Sequence, residues 1–154
     1  MAATRAKIMN AFTDELRAIE GISELLESVT VPICVASNSH PDRVRHSLEV
    51  TRLLRFFEPH VFSATMVERA KPAPDLFIFA AERLNTAPAD CVVIEDSIHG
   101  IRAAQAAGME VIGFCGGSHC PTGHDERLRE AGCKLVFPRM DALGAFLQSA
   151  ELLR

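Results

Sequence analysis

Glu95 and Asp96 stand side by side directly after the apolar run Cys91-Val92-Val93-Ile94. Two adjacent carboxylates repel each other unless a cation or a proton intervenes. Hard oxygen ligands of this kind suit Mg²⁺, which takes one or two protein carboxylates together with phosphate oxygens and water. Two further groups carry compatible chemistry. Ser37-Asn38 follow the apolar "VPICVA", and a hydroxyl followed by backbone N–H groups at a helix entrance binds phosphate oxygens. Lys71 lies in "RAKPAPDLF", where Pro72 and Pro74 restrict the backbone and allow the ammonium to be aimed. Each has a plainer reading when taken alone. Ser-Asn is a common turn and cap, lysines are mostly exposed, and acids favour helix N-termini. The last reading accounts for Asp96 but not for a pair that closes a buried strand.

The surrounding pattern supplies elements that can position these residues. Cys91–Ile94 reads as a strand buried on both faces. Ser97 is a good helix N-cap, and Ile98, Ile101, Ala104 and Gln105 share a side. Gly108 is a natural stop before a second buried strand at Val111–Phe114. Strand, helix and strand in so short a span make a βαβ unit with parallel strands. Ligands of open α/β sheets lie at the C-terminal strand ends, where Glu95 and Asp96 fall. Elsewhere the pattern predicts helices over about 4–17 and up to about Ser28, and a strand over Val31–Ala36. A helix from Pro41 to about Leu54, a short strand at His60–Phe62 and a helix over Asp75–Leu84 follow. After the βαβ unit come a helix over Asp125–Ala131, a strand over Lys134–Phe137 and a helix over Asp141–Leu152. The alternation indicates a doubly wound, Rossmann-like α/β sheet.

The chain has 154 residues, the size of one domain. A net charge of −4 argues against nucleic acid or an anionic membrane as the main partner. No apolar stretch reaches the ~18 residues needed to span a bilayer. Charges run through the first thirty residues, so no signal-peptide core is present and a cytoplasmic location is the expectation. The five cysteines are expected as free thiols. Cys115, His119, Cys120 and His124 cluster in "FCGGSHCPTGH". Neither cysteine has a C-x-x-C partner, and the glycines and proline mark a plain loop, so a structural zinc site is the weaker reading.

Three motifs in this order resemble the haloacid dehalogenase (HAD) superfamily of phosphohydrolases, in its sugar-phosphatase and β-phosphoglucomutase-like branch. "CVASNS" is similar to the second family motif, "KPAPDLF" to the third, and "VVIEDSIHGIRAAQAAGM" to the fourth. The resemblance covers about Ile19 to Leu147. It implies that Ser37 and the Asn38 backbone bind the transferring phosphoryl group, that Lys71 balances its charge, and that Asp96, with Glu95 beside it, holds Mg²⁺. The substrate implied is a small phosphorylated metabolite of the sugar-phosphate class. A two-component receiver domain also clusters acids at strand ends, but there the acidic pair comes on the first strand and the lysine late.

The family's first motif is Asp-x-Asp at the end of the first strand, whose first aspartate is the nucleophile and whose second is the acid/base. The chain contains no Asp-x-Asp: its aspartates are at 14, 42, 75, 90, 96, 125 and 141. Covalent phosphoryl transfer needs a positioned nucleophile. The expectation is therefore an N-terminally truncated HAD-type chain. Residues 1–18 would be a remnant of the helical cap and its linker, residues 19–154 would form the α/β core, and the first, central strand and most of the cap would be missing. The alternative is a non-catalytic module that binds a phosphorylated ligand or a protein partner. The resemblance places the absent strand between Val31–Ala36 and Cys91–Ile94, leaving two unpaired strand edges.

Overall fold

The computed structural model describes residues 16–153. The helix expected over 4–17 and most of the segment assigned to a cap remnant lie outside the described residues. Five parallel strands alternate with helices: β1 (Val35–Ser37), β2 (Val61–Ser63), β3 (Val92–Glu95), β4 (Glu110–Phe114) and β5 (Leu135–Phe137). The helices are α1 (Ile22–Ser28), α2 (Pro41–Val50), α3 (Leu54–Phe57), α4 (Asp75–Arg83), α5 (Ile98–Ala106), α6 (His124–Glu130) and α7 (Met140–Ser149). The α/β class with parallel strands is as expected.

The strands form two separate sheets. Among the described residues β1 pairs with β2 alone, in the register Val35↔Val61 to Ser37↔Ser63, and β3, β4 and β5 form the other sheet in that order. Among the described residues no ladder joins β1 to β3. The side-by-side pairing of the remaining sheet follows from the βαβ connection through α5. Gly108, at φ 73°, ends α5 and admits the turn into β4.

Three local expectations shift. The first strand starts at Val35 rather than Val31, because Pro32 has no N–H to give to a ladder. The second helix stops at Val50, and Arg52 at φ 60° turns the chain into α3. The β3 run is not buried on both faces: Val93 is buried, but Ile94 is 42% exposed. Ile94 lines an open cleft.

Apolar packing anchors the sheets to their helices. Leu76 and Ala80 of α4 pack with Phe62 of β2. Phe77 and Ala81 of α4 pack with Val93 of β3 and with Ala103 and Ala104 of α5. α4 therefore touches both sheets and sets their relative position. Full burial of a Leu, Val or Phe side chain contributes about 1.5–3 kcal/mol. α7 closes the far side through Leu143 and Leu147 against Ile112 and Phe114. No helix among the described residues is long and apolar enough to cross a membrane.

Candidate active site

The C-terminal ends of β1 and β3 flank a cleft of about 430 Å³, with Val35, Ala36, Ile94 and Phe114 as its apolar lining. Ser37, Asn38, Lys71, Glu95 and Asp96, the five residues singled out by type and spacing, all line this same cleft.

Ser37 closes β1, and its Oγ accepts from the Ser39 amide at 3.2 Å, which leaves the hydroxyl hydrogen available. The loop is tied down from below by Ser63, only 1% exposed, whose hydroxyl donates to the Ser39 carbonyl at 2.7 Å. Asn38 fixes the lysine loop. Its Nδ2 donates to the Lys71 carbonyl at 3.0 Å, and its Oδ1 accepts from the Lys71 amide at 3.1 Å. These two bonds join segments 33 residues apart in the chain.

The Lys71 side chain is held on three sides. The ammonium donates to the Ala36 carbonyl at 2.9 Å, pairs with Glu95 Oε1, and lies 4.4 Å from the centre of the Phe77 ring. Lys71 and Glu95 side chains are 7% and 9% exposed. A lysine this buried needs an opposite partner, and Glu95 supplies it. The Phe77 face adds a cation–π contact.

Both Glu95 oxygens are engaged within the protein. Its Oε1 is on Lys71, and its Oε2 accepts from the Asp96 amide at 3.2 Å, the Ser97 amide at 3.2 Å and the Ser97 hydroxyl at 3.0 Å. The Ser97 Oγ in turn caps α5 by accepting from Gly100 N at 3.0 Å. Gly100 is required by this packing. A Cβ there would lie 1.9 Å from Glu95 Cδ. Glu95, expected beside Asp96 on the cation, thus holds the lysine and the first turn of α5.

Asp96 points the other way. Its Oδ2 meets His119 Nε2 at 2.9 Å, and its carbonyl meets His124 Nε2 at 2.6 Å. Both histidines belong to the loop weighed for zinc, and Cys120 Sγ lies 3.7 Å from His119 Nε2. Among the described residues no group of three or more His, Cys, Asp or Glu side chains could hold a metal ion. For Mg²⁺ the residues present fit only in part. Asp96 offers one carboxylate at the cleft, and any further oxygens must come from ligand, water or another segment. Burial pushes the Cys34 thiol, just before β1, up to about 11, with Cys91 adding to the rise and Lys71 opposing it.

Sequence reasoning did not reach Ser63, Phe77, Gly100 or the two histidines as parts of this site. The histidines were visible as a cluster, but their contact with Asp96 spans 23 and 28 residues and is set by the β4–α6 loop.

A profile of the haloacid dehalogenase-like hydrolase family matches residues 1–114. A 6-phosphogluconate phosphatase from Escherichia coli is 37% identical over 115 residues, which are 75% of this chain and 52% of that protein. A β-phosphoglucomutase from Bacillus subtilis is 32% identical over 100 residues, 62% of this chain and 42% of that protein. Among solved structures, a HAD family hydrolase from Deinococcus radiodurans with bound phosphate and sodium superposes with a TM-score of 0.86 at 36% identity. That match covers 94% of this chain and 65% of that one. The chain spans about half the length of these two curated relatives. It belongs to the haloacid dehalogenase-like hydrolase family, in the branch that includes sugar phosphatases and β-phosphoglucomutase.

Proposed function

We propose that this cleft is the phosphoryl-binding half of a Mg²⁺-dependent phosphatase site for a small phosphorylated metabolite of the sugar-phosphate class. The observation that carries the reading is the convergence of Ser37, Asn38, Lys71 and Asp96 on one cleft between strand ends. Ser37 Oγ–H and the Asn38 amide donate to phosphoryl oxygens. The Lys71 ammonium, held by Glu95 and Ala36, faces the phosphoryl charge without having to reorganise, which is how fixed charges lower a phosphoryl-transfer barrier. Asp96 is the cation ligand, and Glu95 supports the site through Lys71 rather than through the metal. Mg²⁺, when bound, supplies charge neutralisation on the transferring group.

Covalent transfer also needs a nucleophile, and the 154 residues hold no Asp-x-Asp. The reading therefore requires a carboxylate from outside them, entering between β1 and β3. The edges of those strands, unpaired among the described residues, support this. The same lack favours a second reading, a module that binds a phosphorylated ligand without turning it over. Relatives named as phosphatases for 6-phosphogluconate and for phosphorylated carbohydrates support the substrate class.

Titration with inorganic phosphate, followed by amide NMR, tests the shared core of both readings. The signals of Ser37, Asn38 and Ser39 should move, and Ser37→Ala should abolish the movement. A cleft whose signals ignore phosphate refutes both. Turnover on adding a peptide that carries Asp-x-Asp separates the first reading from the second.

A further inference from the structure

We infer that His124 is a positioning residue for Asp96. The peptide unit between Asp96 and Ser97 is gripped at both ends: its carbonyl accepts from His124 Nε2 at 2.6 Å, and its N–H donates to Glu95 Oε2 at 3.2 Å. The preceding amide, Asp96 N–H, is held by the same Glu95 oxygen. The backbone on both sides of the Asp96 Cα is thereby fixed, and the direction in which its carboxylate leaves the chain follows. This inference rests on Asp96 being the cation ligand of the proposed site.

The histidine itself argues that the bond is its purpose. A carbonyl can only accept, so Nε2 is the donor in this bond. The other ring nitrogen, Nδ1, is buried and has no hydrogen-bond partner among the described residues. Buried polar atoms without partners are rare and destabilising. A phenyl ring would fill similar space without that cost, so packing alone does not select an imidazole here. The ring is placed by Gly123, whose left-handed φ of 78° starts α6 and makes His124 its first residue. His119, from the same loop, meets the carboxylate itself but is 69% exposed, and so it lacks the enclosure that fixes His124.

Mn²⁺ serves as a paramagnetic probe, with paramagnetic broadening of the Ser97 and Gly100 amide signals followed in the chain and in His124→Phe and His124→Gln. Partners of this kind typically change metal affinity by about tenfold or more when removed. His124→Phe should weaken Mn²⁺ about tenfold while its melting temperature changes little, because the lost hydrogen bond and the removed orphan nitrogen offset each other. His124→Gln, whose Nε2 can still donate to the Asp96 carbonyl, should recover most of the affinity. Equal affinity in the wild type and His124→Phe overturns the inference. A loss of affinity matched by a fall in melting temperature, with no recovery in His124→Gln, also overturns it. If the wild type shows no broadening near Asp96 at all, the cation reading itself falls, and this inference with it.

Discussion

The Lys71–Glu95 pair bridges the two sheets. Glu95 ends β3, while the ammonium it holds also donates to the Ala36 carbonyl of β1 at 2.9 Å. One lysine thus spans the gap that no backbone ladder of the described residues crosses. The partners are not equally dependent on each other. Without Lys71, Glu95 keeps three donors, the Asp96 and Ser97 amides and the Ser97 hydroxyl. Without Glu95, Lys71 keeps only one carbonyl and a ring face. Stranding a buried charge costs about 3–5 kcal/mol. Glu95→Ala should therefore lower stability by about 3 kcal/mol in urea unfolding, and Lys71→Met by clearly less. Equal losses would show that the pair is symmetric after all.

Gly100 tests the same assembly from the helix side. A methyl group at this position would overlap the Glu95 carboxylate, whose two oxygens would lie 2.2 Å from it. That carboxylate is the end of a side chain, but four hydrogen bonds keep it from swinging aside. Helix propensity alone would favour Ala over Gly by about 1 kcal/mol. Gly100→Ala should nonetheless destabilise, by about 2 kcal/mol, within the range for overpacking. It should also weaken phosphate binding, because displacing Glu95 frees Lys71. A stabilised variant with unchanged phosphate binding would show that Glu95 has room to move.

What the sequence disclosed and what it hid divide on a physical line. Ser37, Lys71, Glu95 and Asp96 were legible because strand ends and prolines mark their places locally, and the α/β alternation follows from apolar runs and caps. The division of labour between Glu95 and Asp96 was not, since it depends on Lys71 arriving from 24 residues away. His124 looked like one of four loop ligands, and only the path of the β4–α6 loop turns it onto the Asp96 carbonyl. Ile94 read as core because its neighbours are apolar. Its exposure depends on which strand lies beside β3, and no local pattern encodes that.

Cys34 gives a prediction in pH. Its thiol is pushed from the ordinary 9.0 to about 11, first by burial and then by Cys91, against the pull of Lys71. The folded chain keeps the proton while the unfolded chain releases it. The stabilisation from this site is therefore complete below about pH 9 and disappears as pH rises through 11, on the order of 2–3 kcal/mol in all. Because the thiolate is the reactive form, iodoacetamide at pH 8 should label Cys34 about 100-fold more slowly than an unfolded peptide containing it. Site-resolved mass spectrometry reads this directly. Labelling at the peptide's rate would mean that the thiol is open to water.

The cleft between β1 and β3 carries the last prediction. Among the described residues one edge of each strand is unpaired, both strands line the same cleft, and Ile94 in its lining is 42% exposed. The two edges do not close onto each other. Lys71 occupies one acceptor, the Ala36 carbonyl, but the remaining edge groups have no ladder partner among the described residues. Unpartnered backbone groups cost about 1–3 kcal/mol each where water does not reach them, against a total stability of ~5–15 kcal/mol for a domain. Open edges also template self-association. A parallel strand between β1 and β3 would pair both edges, cover Ile94 and join the two sheets into one. The family resemblance gives that strand an Asp-x-Asp at its C-terminal end, beside Ser37 and Asp96. Adding a synthetic apolar peptide that ends in Asp-x-Asp to the 154-residue chain should raise the melting temperature and suppress concentration-dependent association. The methyl signals of Ile94 should shift, and a peptide with proline at its centre should do none of this. A chain that is monomeric on its own, melts sharply at high temperature and ignores the peptide would show that the cleft is not a strand site.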